Sequence, residues 1–372
     1  MLKSRKFWAY EPCQAAEIKQ EFIDNYKIKG RFYDDVLVFY DQIGIAPHPS
    51  LRMPINSGST EVNSVSFINN QVDINTLRIL IHLLPYTKIV SLKFCSNDFE
   101  INNLEFLISS IITKQNNIYY FSYEWNDKFR IENNEYISRN NIEQYNEHKE
   151  LFDKQDDLIY RLFKNTKFEA ICLRGNYLGD ATMIQIFNLL KEPENNSQVK
   201  LLSLYKNNLT SECIDSFCSM LLKNKKLEEI NFGANNLTDD DIAKIDNSIG
   251  KFPMTPEEVD EYNKKVKERE TIIAKNVKLK LTKKPELEVP YLDEMIQIGG
   301  TCYIVKNKNL KVLNFMLNPS LTSKCFDNIK HMLDYNDELF ITIDNHIFTD
   351  EQKEILADKN GKYLNRIYYS KN

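Results

Sequence analysis

The chain has 372 residues, 42% of them hydrophobic, and a formal net charge of -5. This is enough apolar material for one elongated core, and the acidic balance argues against a nucleic-acid backbone as the main ligand. Its 7 cysteines show no paired spacing, which excludes a disulfide framework and predicts reduced thiols in a cytoplasmic setting.

Residues 1–60 read as an N-terminal helical cap. Met1 to Tyr10 has no apolar core of the kind a secretory leader carries. Ile18, Phe22 and Tyr26 predict an amphipathic helix ending near Gly30, Asp35 to Tyr40 supplies a second apolar element, and Pro47, Pro49 and Pro54 then break the chain.

Residues 61–250 are organised by one pattern, apolar-x-x-apolar-x-apolar-x-x-Asn-x-apolar. Its copies are Val62, Val65, Phe67, Asn70, Val72; Ile89, Leu92, Phe94, Asn97, Phe99; Phe168, Ile171, Leu173, Asn176, Leu178; Val199, Leu202, Leu204, Asn207, Leu209; and Leu227, Ile230, Phe232, Asn235, Leu237. A weaker copy has Ile118, Phe121, Tyr123 and Asn126, with Phe129 arriving late. The period of about 27 to 28 residues accommodates a strand, a turn and a helix, which is the signature of a leucine-rich repeat. Thr210 and Ser211 before Ile214, and Thr238 and Asp239 before Ile242, are the helix starts this requires.

Each slot has a physical role. Side chains alternate in a strand, so Leu202 and Leu204 point inward while Ser203 and Tyr205 point outward. The Asn amide carries a donor and an acceptor for buried backbone at the turn. The expected architecture is an α/β leucine-rich repeat solenoid, a horseshoe with a parallel concave sheet and convex helices, about eight repeats and two inserts.

The first insert lies at about 132–157, a polar stretch with Asn133, Asn134, Asn140 and Asn141 that extends a helix or forms a convex loop. The second spans 251–308. It opens with Thr255 as a cap, Pro256 at the first helical position, and Glu257 and Glu258 in the first turn, predicting a charged helix to about Lys275. Val259, Tyr262, Val266 and Ile273 form a narrow seam along it, which is either an arm lying against the chain's own repeats or a docking helix for another protein. Lys278, Lys280, Lys283 and Lys284 follow, then two strands within Met295 to Val305 around Gly299 and Gly300.

Residues 309–372 return to the pattern as the last repeats and a C-terminal cap. Leu310, Leu313, Phe315, Asn318 and Leu321 repeat it with one residue slipped in, and Thr322 and Ser323 start the helix bearing Phe326, Ile329 and Leu333. Ile341, Ile343 and Phe348 follow with His346 in the Asn slot, read as a turn residue, and Leu364, Ile367 and Tyr369 predict a terminal strand.

No phosphate-cradling glycine loop and no His or Cys cluster with metal spacing is present, so no catalytic role, cofactor, metal or small-molecule substrate is expected. No basic face recurs from repeat to repeat, which argues against nucleic acid. The most apolar stretch, Leu77 to Leu84, carries Arg78 and His82, so no membrane span is expected. What remains is protein binding on the outward strand positions, where Lys93, Trp125, Arg174, Tyr205 and Met316 are the anchors of choice.

The repeats, the charged helix from Thr255-Pro256-Glu257-Glu258-Val259, the strand pair at Gly299-Gly300-Thr301-Cys302-Tyr303 and the return through Leu310-Lys311-Val312-Leu313-Asn314-Phe315 together resemble the leucine-rich-repeat-containing protein seventy-one family of motile cilia. The likeness covers roughly residues 60–356. It implies a non-catalytic structural component of the axoneme, in the radial spokes or central apparatus, with axonemal subunits as partners and the cytoskeleton as its location. The alternative class is a soluble regulatory repeat protein that grips an enzyme or small GTPase in its concave face.

Overall fold

A computed structural model describes residues 18–52, 62–114, 116–131, 135–164, 166–192, 194–195, 197–357, 363 and 365–370. The readings placed on Met1 to Tyr10, Pro54, Asn133, Asn134 and Leu364 lie outside these residues. The apolar-x-apolar pairs of the pattern form short strands because alternation puts both apolar side chains on one face. In chain order the strands are β1 (Ser64–Ile68), β2 (Ser91–Cys95), β3 (Tyr120–Glu124), β4 (Lys128–Arg130), β5 (Tyr136–Ser138), β6 (Ala170–Cys172), β7 (Leu201–Ser203), β8 (Glu229–Asn231), β9 (Lys251–Pro253), β10 (Glu294–Ile298), β11 (Thr301–Val305), β12 (Val312–Asn314), β13 (Phe340–Asp344) and β14 (Ile367–Ser370). Nine of them make one sheet in the order β1-β2-β3-β6-β7-β8-β12-β13-β14, parallel throughout.

The helices are α1 (Gln20–Asn25), α2 (Phe32–Ile43), α3 (Ile74–Leu83), α4 (Ile101–Thr113), α5 (Ile142–Glu147), α6 (Lys149–Arg161), α7 (Asp180–Lys191), α8 (Ile214–Lys223), α9 (Asp239–Asp246), α10 (Pro256–Leu281), α11 (Phe326–Tyr335) and α12 (Asp350–Leu356). Helices α2, α3, α4, α6, α7, α8, α9 and α11 pack each on the next in that order. This mixed α/β arrangement is compatible with a solenoid-like fold. Between sheet and helices runs one continuous core, in which Phe67 stacks on Phe94 at 4.9 Å and Phe121 sits against Phe94 and Phe168 at 6.1 and 5.8 Å. Each such side chain, fully buried, contributes about 1.5–3 kcal/mol.

The asparagines of the pattern form a ladder. Asn126 Nδ2 donates to Phe94 O at 3.1 Å, Asn176 Nδ2 to Tyr123 O at 2.6 Å and Asn207 Nδ2 to Leu173 O at 2.8 Å. In return the Oδ1 of Asn126, Asn176, Asn207 and Asn235 accepts from the backbone N of Asn97, Asn126, Asn176 and Asn207 respectively. Each side chain therefore ties its turn to the turn before it. The residue preceding the asparagine is left-handed in every rung: Asn69, Ser96, Trp125, Gly175, Lys206, Ala234 and Leu317, with φ between 54 and 66. At the end of the series His346 does not fill the slot. It is exposed, while Asp344 is buried and its Oδ2 accepts from Leu317 N at 2.6 Å. A carboxylate from the outward strand position has replaced the amide from the turn.

Three other readings change. The first helix covers only Gln20–Asn25, because Asp35 Oδ1 accepts from Tyr26 Oη at 2.7 Å and Lys29 N at 3.0 Å and draws that chain into an extended path. The first insert is the β4–β5 hairpin followed by α5, while α6 takes the repeat-helix place between α4 and α7. Buried Arg139 pins it, bonding Asp156 through two nitrogens at 2.5 and 2.6 Å and Gln155 at 2.9 Å. The charged helix runs past Lys275 to Leu281, and β10 and β11 pair across Gly299 and Gly300, both at positive φ as a two-residue hairpin turn requires.

Candidate interaction surface

The sheet face turned away from the helices carries a row at the strand starts, in which Tyr120 and Phe340 are large and exposed, and two rows further along the strands. Strand register aligns Ser66, Lys93, Ser122, Cys172, Ser203, Asn231, Asn314, Thr342 and Tyr368 in a single row across all nine strands. Most of these side chains are short and already committed. Asn231 Oδ1 accepts from Gly233 N at 2.8 Å, and Asn314 Oδ1 from Met316 N at 3.0 Å. Burial, reinforced by nearby Glu124, raises the Cys172 thiol above its ordinary range, so it stays protonated and unreactive.

The second row lies two residues further on, where the chains leave the strands: Cys95, Glu124, Arg174, Tyr205, Gly233, Met316 and Asp344. Backbone bonds from Gly175 N to Tyr205 O at 2.9 Å and from Ala234 N to Met316 O at 2.7 Å hold adjacent turns together along it. Arg174, Tyr205 and Met316 thus stand on the C-terminal rim of the sheet rather than within its strands. Spacing places Trp125 among the outward strand residues, but in the structure Glu124 holds that place and Trp125 is the left-handed residue after it. Glu124 is the member that the sequence did not reveal. Its buried carboxylate accepts from Lys93 Nζ, 3.2 Å from both oxygens, and from Ser122 Oγ, so Lys93 is a paired cation that spans two strands.

The large side chains cluster in the middle of the rim. The Trp125 indole lies directly over Gly175, where any Cβ would overlap the ring, while a Cβ at Gly233 would meet Asn231 Oδ1 and Tyr205 at a tight 3.0 Å. Trp125 and Tyr205 meet edge-on at 6.5 Å, Lys206 Nζ sits 5.2 Å from the Trp125 ring, and Arg174 Nε donates to Ser203 Oγ at 3.0 Å. Trp125 and Tyr205 are half-buried and Arg174 is exposed. Trp and Tyr in contact, with a lysine over the indole and an exposed arginine nearby, are residue types enriched where proteins anchor one another.

On α10, Val259, Tyr262 and Val266 are half-buried, but Ile273 is exposed and off the covered face. The chain's own return segment, residues 282–293 between α10 and β10, runs back along this side of the helix. Tyr262 Oη donates to Asp293 O at 2.8 Å, and Asn276 exchanges two bonds with Leu287. Between α10 and the β9–β11–β10 sheet lies a groove of about 690 Å³, walled by Phe252, Met254, Tyr262, Tyr291 and Ile304. Burial and then Asp293 push the Tyr291 hydroxyl up to about 12, so it is neutral. The described cysteines are free, and among the described residues no group of three or more His, Cys, Asp or Glu is placed to hold a metal ion. Among them also, no helix is long and apolar enough to cross a membrane.

No family model matches the chain, and no curated protein does. Among solved structures it is similar to the yeast Rad7 and Elc1 complex, at 8% identity and a TM-score of 0.23, covering 78% of each chain. A likeness that low carries no argument about fold or partner.

Proposed function

We propose that this chain is a non-catalytic protein–protein interaction scaffold, a structural component of the ciliary axoneme in its radial-spoke or central-apparatus machinery. The observation that carries the binding reading is the rim cluster of Trp125, Arg174, Tyr205 and Lys206, large side chains packed on one another and on the turns at the sheet's C-terminal edge. The strands read as leucine-rich repeats, about eight of them with two inserts. Helices need about 8–10 Å of spacing and strands about 4.8 Å, so stacking them curves the molecule into a horseshoe with this cluster on the concave side. The axonemal assignment is supported by the family resemblance in the order of repeats, charged helix, glycine hairpin and last repeats.

Proximity labelling from a C-terminally tagged copy in the living source cell tests the reading. Neighbours from spokes or the central pair are the expected result. A GTPase or other soluble enzyme, with no axonemal protein among the neighbours, would transfer the proposal to a soluble regulator that grips one partner. The compactness of the rim cluster favours that second reading, which predicts a stoichiometric complex lost on Trp125→Ala with Tyr205→Ala.

A further inference from the structure

The return segment and the apolar residues of α10 follow diverging tracks. The segment bonds to Tyr262, to Arg269, whose Nε donates to Pro290 O at 3.1 Å, and to Asn276. These three contacts are spaced by heptads, and a heptad step falls back about 20° around an α-helix. Ile273, Val277 and Leu281 are spaced by four, and each such step advances by about 40°. The tracks therefore separate toward the C-terminal end. Asn276 is 7% exposed, while Ile273, Val277 and Leu281 are 38%, 59% and 82% exposed. They form an uncovered row about 12 Å long.

The same end of the helix is strongly basic. From residue 271 to 285 the sequence has Lys275, Lys278, Lys280, Lys283 and Lys284 and no Asp or Glu, and Glu286 and Glu288, on either side of the Leu287 that bonds to Asn276, leave this end net positive. None of these lysines is in an ion pair among the described residues, whereas Lys265, nearer the helix start, pairs with Glu261 at 2.7 Å. Lys278 and Lys280 flank the apolar row on its two sides.

We propose that this end of α10 docks an acidic amphipathic helix of another protein. A single row of aliphatic side chains at a spacing of four is the ridge that fits between the side chains of a second helix, and the lysines match glutamates or aspartates on the flanks of such a helix. A lipid surface calls for a wider apolar face with aromatic anchors, and this row has none. A second copy would set lysine tip against lysine tip, which like-charge repulsion disfavours. The surface is distinct from the sheet rim and does not depend on where the protein resides.

The test uses the full chain and a fluorescent helical peptide with Leu at heptad positions a and d and Glu at e and g. Controls are the same peptide with Lys in place of Glu, and phosphatidylserine vesicles. Variants V277D and K278E/K280E alter only exposed side chains, and circular dichroism with a thermal melt verifies their fold. The expected result is that the Glu peptide binds more weakly as salt rises, the Lys peptide does not bind, and each variant weakens binding about tenfold or more. The proposal is overturned if the Glu peptide fails to bind or binds both variants as it binds wild type. It is equally overturned if V277D instead abolishes vesicle binding or a concentration-dependent dimer.

Discussion

Asn207 shows what one rung of the asparagine ladder does. The amide donates to Leu173 O and accepts from the backbone of both Asn176 and Leu178, all of them buried. Removing it leaves two donors and a carbonyl without partners, each costing about 1–3 kcal/mol before relaxation. Asn207→Ala should therefore lower stability by about 3 kcal/mol or more in urea denaturation. Asn70→Ala, at the half-exposed start of the ladder where the side chain makes one short-range bond to Ile68 O, should cost under about 1 kcal/mol. Equal losses at the two sites would show that the ladder does not carry the energy assigned to it. The asparagines were legible because one residue type recurs in register. The left-handed residues before them were not, since Asn, Ser, Trp, Gly, Lys, Ala and Leu all occupy that place and the ladder, not local preference, imposes it. Gly175 is the exception with a visible reason, because Trp125 lies where its Cβ would be. Gly175→Ala should cost about 2 kcal/mol or more and displace the indole, read as a change in tryptophan fluorescence. An unchanged spectrum with wild-type stability would contradict the packing described.

Among the elements, the packing of α2 and β1 with α3 has a pH dependence written into two histidines, His48 before β1 and His82 on α3 against Phe39. His48 Nε2 donates to Gln71 O at 3.0 Å and its Nδ1 accepts from Ser50 N at 3.1 Å, a pattern that only the neutral ring satisfies. Burial lowers its pKa from the ordinary 6.5, and burial followed by Lys114 lowers that of His82. A depressed pKa leaves stability intact above 6.5 and removes it as pH falls toward the folded value, since the unfolded chain takes up protons that the folded chain refuses. Amide exchange in α2 and β1, corrected for its intrinsic rate, should accelerate as pH drops below 6.5, and His48→Gln with His82→Gln should flatten that dependence. Acceleration that persists unchanged in the double variant would assign it to other groups. The cap's second helix was visible from its apolar spacing, while the early end of the first helix was not, because it depends on the contact between Asp35 and Tyr26. The extent of α10 was underestimated for a related reason. Its last turns carry lysines that suit a helix C-terminus, but the periodicity of Ile273, Val277 and Leu281 departs from the heptad seam that marked its start.

Across the whole molecule, strand order follows chain order, so the sheet accumulates its outward surface one residue at a time. That surface has large exposed side chains at some strand starts, Tyr120 and Phe340, mostly short ones in the middle of the strands and large ones again at the C-terminal rim, and no single sign of charge dominates it. The sequence showed which side of each strand faces out, since alternation is local. It did not show that Lys93 is spent on Glu124, or that Asn231 and Asn314 turn back on their own backbones, because those are contacts between or after strands. The proposed binding surface, centred on Trp125, Arg174 and Tyr205, is accordingly smaller than the outward positions suggested.

The most direct measurement of the central claim is extraction of a tagged copy from the source cell, comparing wild type with the Trp125→Ala, Tyr205→Ala variant. The account predicts that wild type stays with detergent-extracted, salt-washed axonemes and that the folded variant is released. A wild-type protein found wholly in the soluble fraction, with none on the axoneme, would contradict it.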